Sequence, residues 1–334
     1  MDTPGFGTWL RNARKANGWS QERLAAQVNR VERSGDACTG NTISRYECGR
    51  LVPTPRRLQS LATALGEPLT TVERLAYGTG QTEENRERLM RTVHVPSKAD
   101  NEVLEGLRAT LAGQRRLEDA LGAAPVLDTV QSVLRQADAI ARGAPSRMRP
   151  TIVGLVSELN QYVGWLYIPL GMPADARTYL DRAVSAGLEA DDRMRTATAL
   201  SFQAYLRLRY GDPRAAVALN DAAGRDTGIH PSLRTHVRYQ QAEVLAKIGE
   251  AADARHTLDE ANTLVDRVSE DDLPESGYWY TPAYFLGSRA LVLASLGERD
   301  EAAQLMAESF AGMPEEWQRS EWANRRRMIL SGED

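Results

Sequence analysis

The sequence predicts an all-α protein in two unequal parts, a short five-helix head and a long body of stacked helical pairs. Three observations carry that expectation. Apolar residues recur three and four apart along most of the chain, no useful stretch alternates apolar and polar as a strand would, and a glycine-centred punctuation repeats four times in the C-terminal half. A chain of 334 residues, 42% apolar and 26% charged, is long enough for two or more cores.

The head reads helix by helix. Phe6, Trp9, Leu10 and Ala13 share one helical face, and Gly18 stops that helix. Ser20 is an N-cap, with Gln21 and Glu22 in the first turn and Leu24, Ala25 and Val28 as the buried stripe. A polar loop is expected over Asn29 to Gly40. Thr39, or Asn41 if the helix starts later, then caps a third helix through Tyr46 and Cys48 that ends at Gly49. Pro53 and Pro55 hold a connector, Leu58, Leu61, Ala62 and Leu65 mark a fourth helix ended by Gly66, and Leu69, Val72 and Leu75 a fifth.

The net charge of −4 is divided unevenly. Residues 1–78 hold 11 Lys+Arg against 7 Asp+Glu, and the remainder 30 against 38. A basic head on an acidic body fits a protein whose head alone meets a polyanion. No run approaches the roughly 18 apolar residues of a membrane span, and MDTPGFGTWLRNARK lacks the charged-then-apolar order of a secretion signal. Two cysteines, Cys38 and Cys48, make no disulfide framework and are read as free thiols, not as a redox switch. A cytoplasmic protein without membrane partners is expected.

The stretches WSQERLAAQV and TISRYECGRLVPTPRRLQSLATALG resemble the Xre/phage-repressor-like helix-turn-helix family, over about the first quarter of the chain. One departure is the long loop NRVERSGDACTG. The resemblance implies that the third helix enters the major groove of double-stranded DNA N-terminus first. Asn41 presents an amide that fits adenine, and Arg45, one turn on, reaches guanine O6 and N7. Thr42 and Ser44 suit a thymine methyl, a base edge or a phosphate. Gln21 matches the family's phosphate clamp at a helix N-terminus, and Arg50, Arg56 and Arg57 are expected on sugar-phosphate. The alternative for these arginines is a solvated charged face. Arg14 and Glu47 are read as structural, since the family ties its first helix to its recognition helix with such a pair.

After a polar linker over residues 79–101, helical around Glu84 to Met90, the body of residues 102–334 carries the repeat. Gly171, Gly211, Gly249 and Gly297 each precede a helix whose fifth residue on is Ala176, Ala216, Ala254 or Ala302. Twelve on stand Ala183, Ala223, Ala261 and Ser309, and seven before stand Gly164, Ala204, Ala242 and Ala290. Small residues in those columns let antiparallel helices approach closely. This resembles tetratricopeptide (TPR) repeats, and residues before 150 are expected to add one or two degenerate pairs.

The resemblance implies a superhelix with a concave inner face. Positions carried over from the family are Glu158, Gln161, Trp165, Tyr205, Arg209, His236, Tyr239, Glu243, Lys247 and Tyr284. Aromatics mixed with both charge signs suit a peptide or small-molecule effector; the alternative is stacking core and ordinary surface. The C-terminal stretch EEWQRSEWANRRRMIL either caps the stack or pairs with a second chain. His94, His230, His236 and His256 form no metal-ligand spacing, and no phosphate loop or nucleophile–base set appears, so no metal, cofactor or enzymatic activity is expected.

The two modules together resemble the peptide-pheromone-responsive, quorum-sensing regulators. The expectation is therefore a homodimeric transcription regulator that binds an inverted-repeat operator and is modulated by an effector in the groove. The alternative is a TPR adaptor that holds a partner protein while the head localises it to DNA.

Overall fold

The computed structural model describes residues 5–32, 38–77, 83–269 and 272–332, all of them helix, turn or irregular, with no strand among them. In the head, α1 (Phe6–Ala16) ends where Gly18 takes a left-handed φ of 67°. Helix α2 (Gln21–Glu32) starts at Ser20, whose Oγ accepts from the Arg23 N–H at 3.1 Å. It runs three residues past Asn29, where a loop was expected. The Asn29 amide closes that loop by pairing with both the N–H and the C=O of Cys38, each at 2.8 Å; the middle of the loop, residues 33–37, lies outside the described residues.

Helix α3 (Gly40–Glu47) opens with a reciprocal cap: Thr39 Oγ1 accepts from the Thr42 N–H, and Thr42 Oγ1 accepts from the Thr39 N–H. Thr54 caps α4 (Pro55–Leu65), which ends at left-handed Gly66, and α5 (Leu69–Tyr77) completes the head. Leu10, Leu24, Val28, Ile43, Tyr46, Leu58, Leu61 and Val72 are fully buried. Each such side chain contributes roughly 1.5–3 kcal/mol of burial.

Helix α6 (Glu83–His94) is longer than the linker reading allowed, and its Leu89 joins the core of the body. The body then stacks α7 (Asn101–Leu121) with α8 (Ala124–Gly143), α9 (Arg149–Tyr167) with α10 (Pro173–Glu189), and α11 (Arg193–Arg209) with α12 (Pro213–Gly224). Next come α13 (Pro231–Lys247) with α14 (Ala251–Val265), and α15 (Pro282–Ser295) with α16 (Arg299–Gly312).

The four punctuating glycines, Gly171, Gly211, Gly249 and Gly297, all sit at the bend between the two helices of a pair with φ between 71° and 91°. Ala176, Ala216, Ala254 and Ala302 are fully buried on the second helices. Gly164 marks a close approach of α9 to α10, because a Cβ there would fall 2.7 Å from Leu180 Cγ.

The C-terminal segment decides the shape of the inner face. A single 3₁₀ turn (Trp317–Arg319) leads into α17 (Glu321–Ser331), capped by Ser320. This helix folds back across the inner side of α11, α13 and α15. Arg325 pairs with Glu243, Tyr205 donates to Glu321 at 2.7 Å, Arg209 lies 3.3 Å from Glu321, and Arg326 stacks 4.6 Å from the Tyr284 ring. Within the chain this segment therefore covers part of the inner face.

Candidate functional site

The first candidate surface is the recognition helix. Asn41, Arg50 and Arg56 are exposed, whereas Gln21, Thr42, Ser44 and Arg45 are half-buried. Arg14 and Glu47 form the expected tie: the guanidinium donates to Oε1 at 2.5 Å and to Oε2 at 2.9 Å. Gln21 Nε2 donates to the same carboxylate at 2.9 Å. Burial would raise the Glu47 carboxyl, but these hydrogen bonds overcome it and hold the group below its usual range. Glu47 therefore fixes three helices to one another and leaves the exposed edge of α3 to its other residues.

Arg57 is a correction to the sequence reading. Expected on sugar-phosphate, it is 1% exposed and lies between Glu32, at 3.3 Å, and Glu315 of the body, at 2.6 Å. Its position explains this, since Arg57 shares a helical stripe with Leu61 and Leu65 and points inward with them.

The partners of Arg57 introduce a larger feature: the head is docked on the C-terminal segment. Tyr46, in the last turn of α3, donates its hydroxyl to Glu316, a carboxyl that burial has raised above its usual range. Trp317 is buried within the head's own apolar cluster. Arg45 lies over the Trp317 ring, 4.9 Å from its centroid. Asn41, Arg45, Cys48 and Arg50 line a crevice whose other wall is Arg116, Tyr278 and Thr281 of the body. The residues of α3 expected to meet DNA thus border a crevice whose far wall is the body, with Arg45 on Trp317 and Asn41 still exposed.

The second candidate is a cavity on the inner side of the body, about 720 Å³ counting its open mouth. It gathers five of the ten inner-face residues read from the sequence: Gln161, Trp165, Tyr205, His236 and Tyr284. The other five lie elsewhere. Glu158 is held by Arg115 and Arg195, both at 2.9 Å. Tyr239 donates to Asn262 at 3.0 Å, beside a different cleft. Lys247 is exposed at the end of α13. Arg209 and Glu243, read as groove residues, are covered by α17, whose Glu321 and Arg325 supply the opposite charges.

Sequence reasoning missed much of the cavity wall. Glu118 and Asp119 come from the end of α7, Tyr278 and Trp279 from the connector before α15, and Trp317 and Trp322 from the C-terminal segment. None of these belongs to a repeat column. Asp119 accepts from the Tyr278 hydroxyl at 2.5 Å. Burial, reinforced for Glu118 by the neighbouring Asp119 charge, raises both carboxyls from the usual range to around neutrality. Burial lowers the His236 imidazole to about 3, so it is neutral at ordinary pH.

A helix-turn-helix head with a body of stacked helical pairs and an aromatic inner cavity defines the class of the protein. Residues 6–75 match the family model described as a helix-turn-helix domain, which makes the head a DNA-binding module. No curated protein sequence matches the chain. Among solved structures, the chain is similar to Bacillus thuringiensis PlcR in complex with the peptide PapR7 and DNA, at 13% identity and a TM-score of 0.40, over 92% of this chain and 97% of that one. It is also similar to the apo form of the competence regulator ComR from Streptococcus vestibularis, at 10% identity and a TM-score of 0.37, over 98% and 97%. Among the described residues, no group of three His, Cys, Asp or Glu is placed to hold a metal, and no helix is long and apolar enough to cross a membrane.

Proposed function

We propose that the chain is a transcription regulator whose recognition helix is held off DNA by its own body, and that an effector in the aromatic cavity releases it. The observation that carries this reading is the double position of Trp317. It lines the cavity and also supports Arg45 from within the head's apolar cluster. An occupant that displaces Trp317 removes the platform under the recognition helix. Such coupling requires the ligand to bind one arrangement better than the other, and a differential of ~1–3 kcal/mol gives a 5–150-fold change in operator affinity.

In the released state Asn41 and Arg45 read bases, Thr42 and Ser44 sit at the groove edge, and Gln21, Arg50 and Arg56 touch the backbone. One helix-turn-helix unit makes few contacts, so the reading includes a homodimer on an inverted repeat. The test is to select the operator with the full chain and then compare the wild type with Trp317→Ala. The variant is expected to bind the selected operator about tenfold tighter or better, for a docking contact of ~1.4 kcal/mol or more. Equal or weaker binding by a folded variant would remove the basis of the reading.

A further inference from the structure

The crevice between head and body is lined by arginine from both sides. Arg45 and Arg50 come from the end of α3 and Arg116 and Arg115 from α7, and among the described residues no Asp or Glu lines it. The body as a whole is acidic, with 38 Asp+Glu against 30 Lys+Arg, so this wall departs from its surroundings. The C-terminal end of α3 and the N-terminal end of α15 also border the space, and their partial charges are of opposite sign.

Arg115 adds an independent sign of an absent acceptor. It is 3% exposed, and its Nη1 donates to Glu158 at 2.9 Å, but its Nε and Nη2 are buried without a hydrogen-bond partner. Arg45 rests on the Trp317 ring, a contact that leaves its N–H edge for other partners. Docking thus gathers four cationic groups around one space, where water screens them less than on an open surface. An anion in that space would turn the repulsion into attraction from both walls. Guanidinium forks match phosphoryl oxygens in pairs, and the Asn41 amide adds a neutral donor at the rim. The space is about 950 Å³ counting its open mouth, enough for several phosphoryl groups.

We propose that the crevice binds an oligophosphate, a chain of two or more phosphoryl groups, free or carried by a nucleoside, that bridges α3 to α7. The site exists only with the head docked, so the proposal rests on that arrangement and adds a ligand that strengthens it. The bound anion occupies Arg45 and Arg50, which DNA requires, and operator affinity falls. An effector in the aromatic cavity releases the head, and the oligophosphate holds it.

The experiment is calorimetric titration of the full chain with sodium tripolyphosphate, ATP and sodium sulfate, at one ionic strength, without divalent metal or DNA. Tripolyphosphate is expected to bind one per chain and about tenfold or more tighter than sulfate. Arg50→Ala and Arg116→Ala should each weaken it about tenfold. Arg50 is exposed, so its removal tests the site without threatening the fold. Tighter binding of ATP than of tripolyphosphate would assign the group to a nucleotide, and equal binding to a free polyphosphate; either supports the site. Tripolyphosphate binding no tighter than sulfate, or wild-type affinity in both variants, would overturn the proposal. So would a loss in Arg56→Ala with wild-type affinity in Arg116→Ala, which would place the anion on the DNA-facing surface. Operator affinity at the same ionic strength should fall about tenfold with saturating tripolyphosphate, and by much less in Arg116→Ala. Site binding that leaves operator affinity unchanged supports the anion site and counts against the docked head as what withholds DNA.

Discussion

The Arg45 guanidinium lies 4.9 Å from the centroid of the Trp317 ring, so a residue of the recognition helix rests on a residue of the cavity wall. The same contact gives Arg45 two expected roles, one in the docked state and one on DNA.

Removing Arg45 should therefore have opposite effects on two kinds of DNA. Arg45→Ala loosens the docked head, which favours binding to any duplex, but removes a base contact worth ~1–3 kcal/mol. Competition binding should show lower specificity for the selected operator together with unchanged or higher affinity for random duplex. Arg56→Ala should weaken both alike and flatten the salt dependence. An unchanged operator preference in Arg45→Ala would place its side chain away from the bases.

The Arg14–Glu47 pair should be costly to break on one side. Glu47→Ala leaves the Arg14 guanidinium buried without its carboxylate and frees Gln21, and is expected to destabilise the chain by about 3–5 kcal/mol. The double variant with Arg14→Ala should lose less than the single losses combined. Chemical denaturation of the four proteins measures the cycle, and additive losses would deny that the two residues act as a pair.

Stability should fall as pH rises through neutrality. Glu118 and Asp119 have folded values raised above 4.5 and 3.8, so the fold binds their protons more tightly than the unfolded chain does. Their favourable contribution is complete below those ordinary values and is lost as pH climbs through the raised ones. Melting temperatures across the range about pH 5 to about pH 8 are expected to decline, and Glu118→Gln should flatten the decline. A wild-type profile that rises over this window would contradict the raised values.

Much of the fold was legible because single residues enforce it. Gly171, Gly211, Gly249 and Gly297 need their left-handed φ wherever they occur, and Ala204 or Ala242 must be small at any close crossing. The capping residues Ser20, Thr39 and Thr54 act within one turn of chain, so local sequence reveals them. The cavity was half legible. Trp165, Tyr205 and His236 follow from the repeat register, but Asp119, Tyr278 and Trp317 meet only because the superhelix closes and the C-terminal segment returns across it. Arg57 could have been read correctly from its spacing to Leu61 and Leu65. The docking of Tyr46 on Glu316 joins residues 270 positions apart and leaves no trace in either local pattern.

A dimer is expected of the full chain. Light scattering should give twice the mass of the 36.9 kDa chain, with and without the operator. A monomer that binds a single half-site would remove the inverted repeat from the proposed function.

The central claim is that the docked head cannot engage DNA, and Cys48 offers a direct test of it. This exposed thiol lines the crevice with Arg116 of the body, whereas burial raises the other thiol, Cys38, to about 11 and keeps it unreactive. In Arg116→Cys, a short bis-methanethiosulfonate, which forms a disulfide to each thiol with loss of methanesulfinate and is cleaved by a reductant, can bridge residues 48 and 116 and lock the head in place. Operator binding measured before bridging, after bridging and after cleavage should be present, lost and restored. Undiminished binding by the bridged protein would contradict the account.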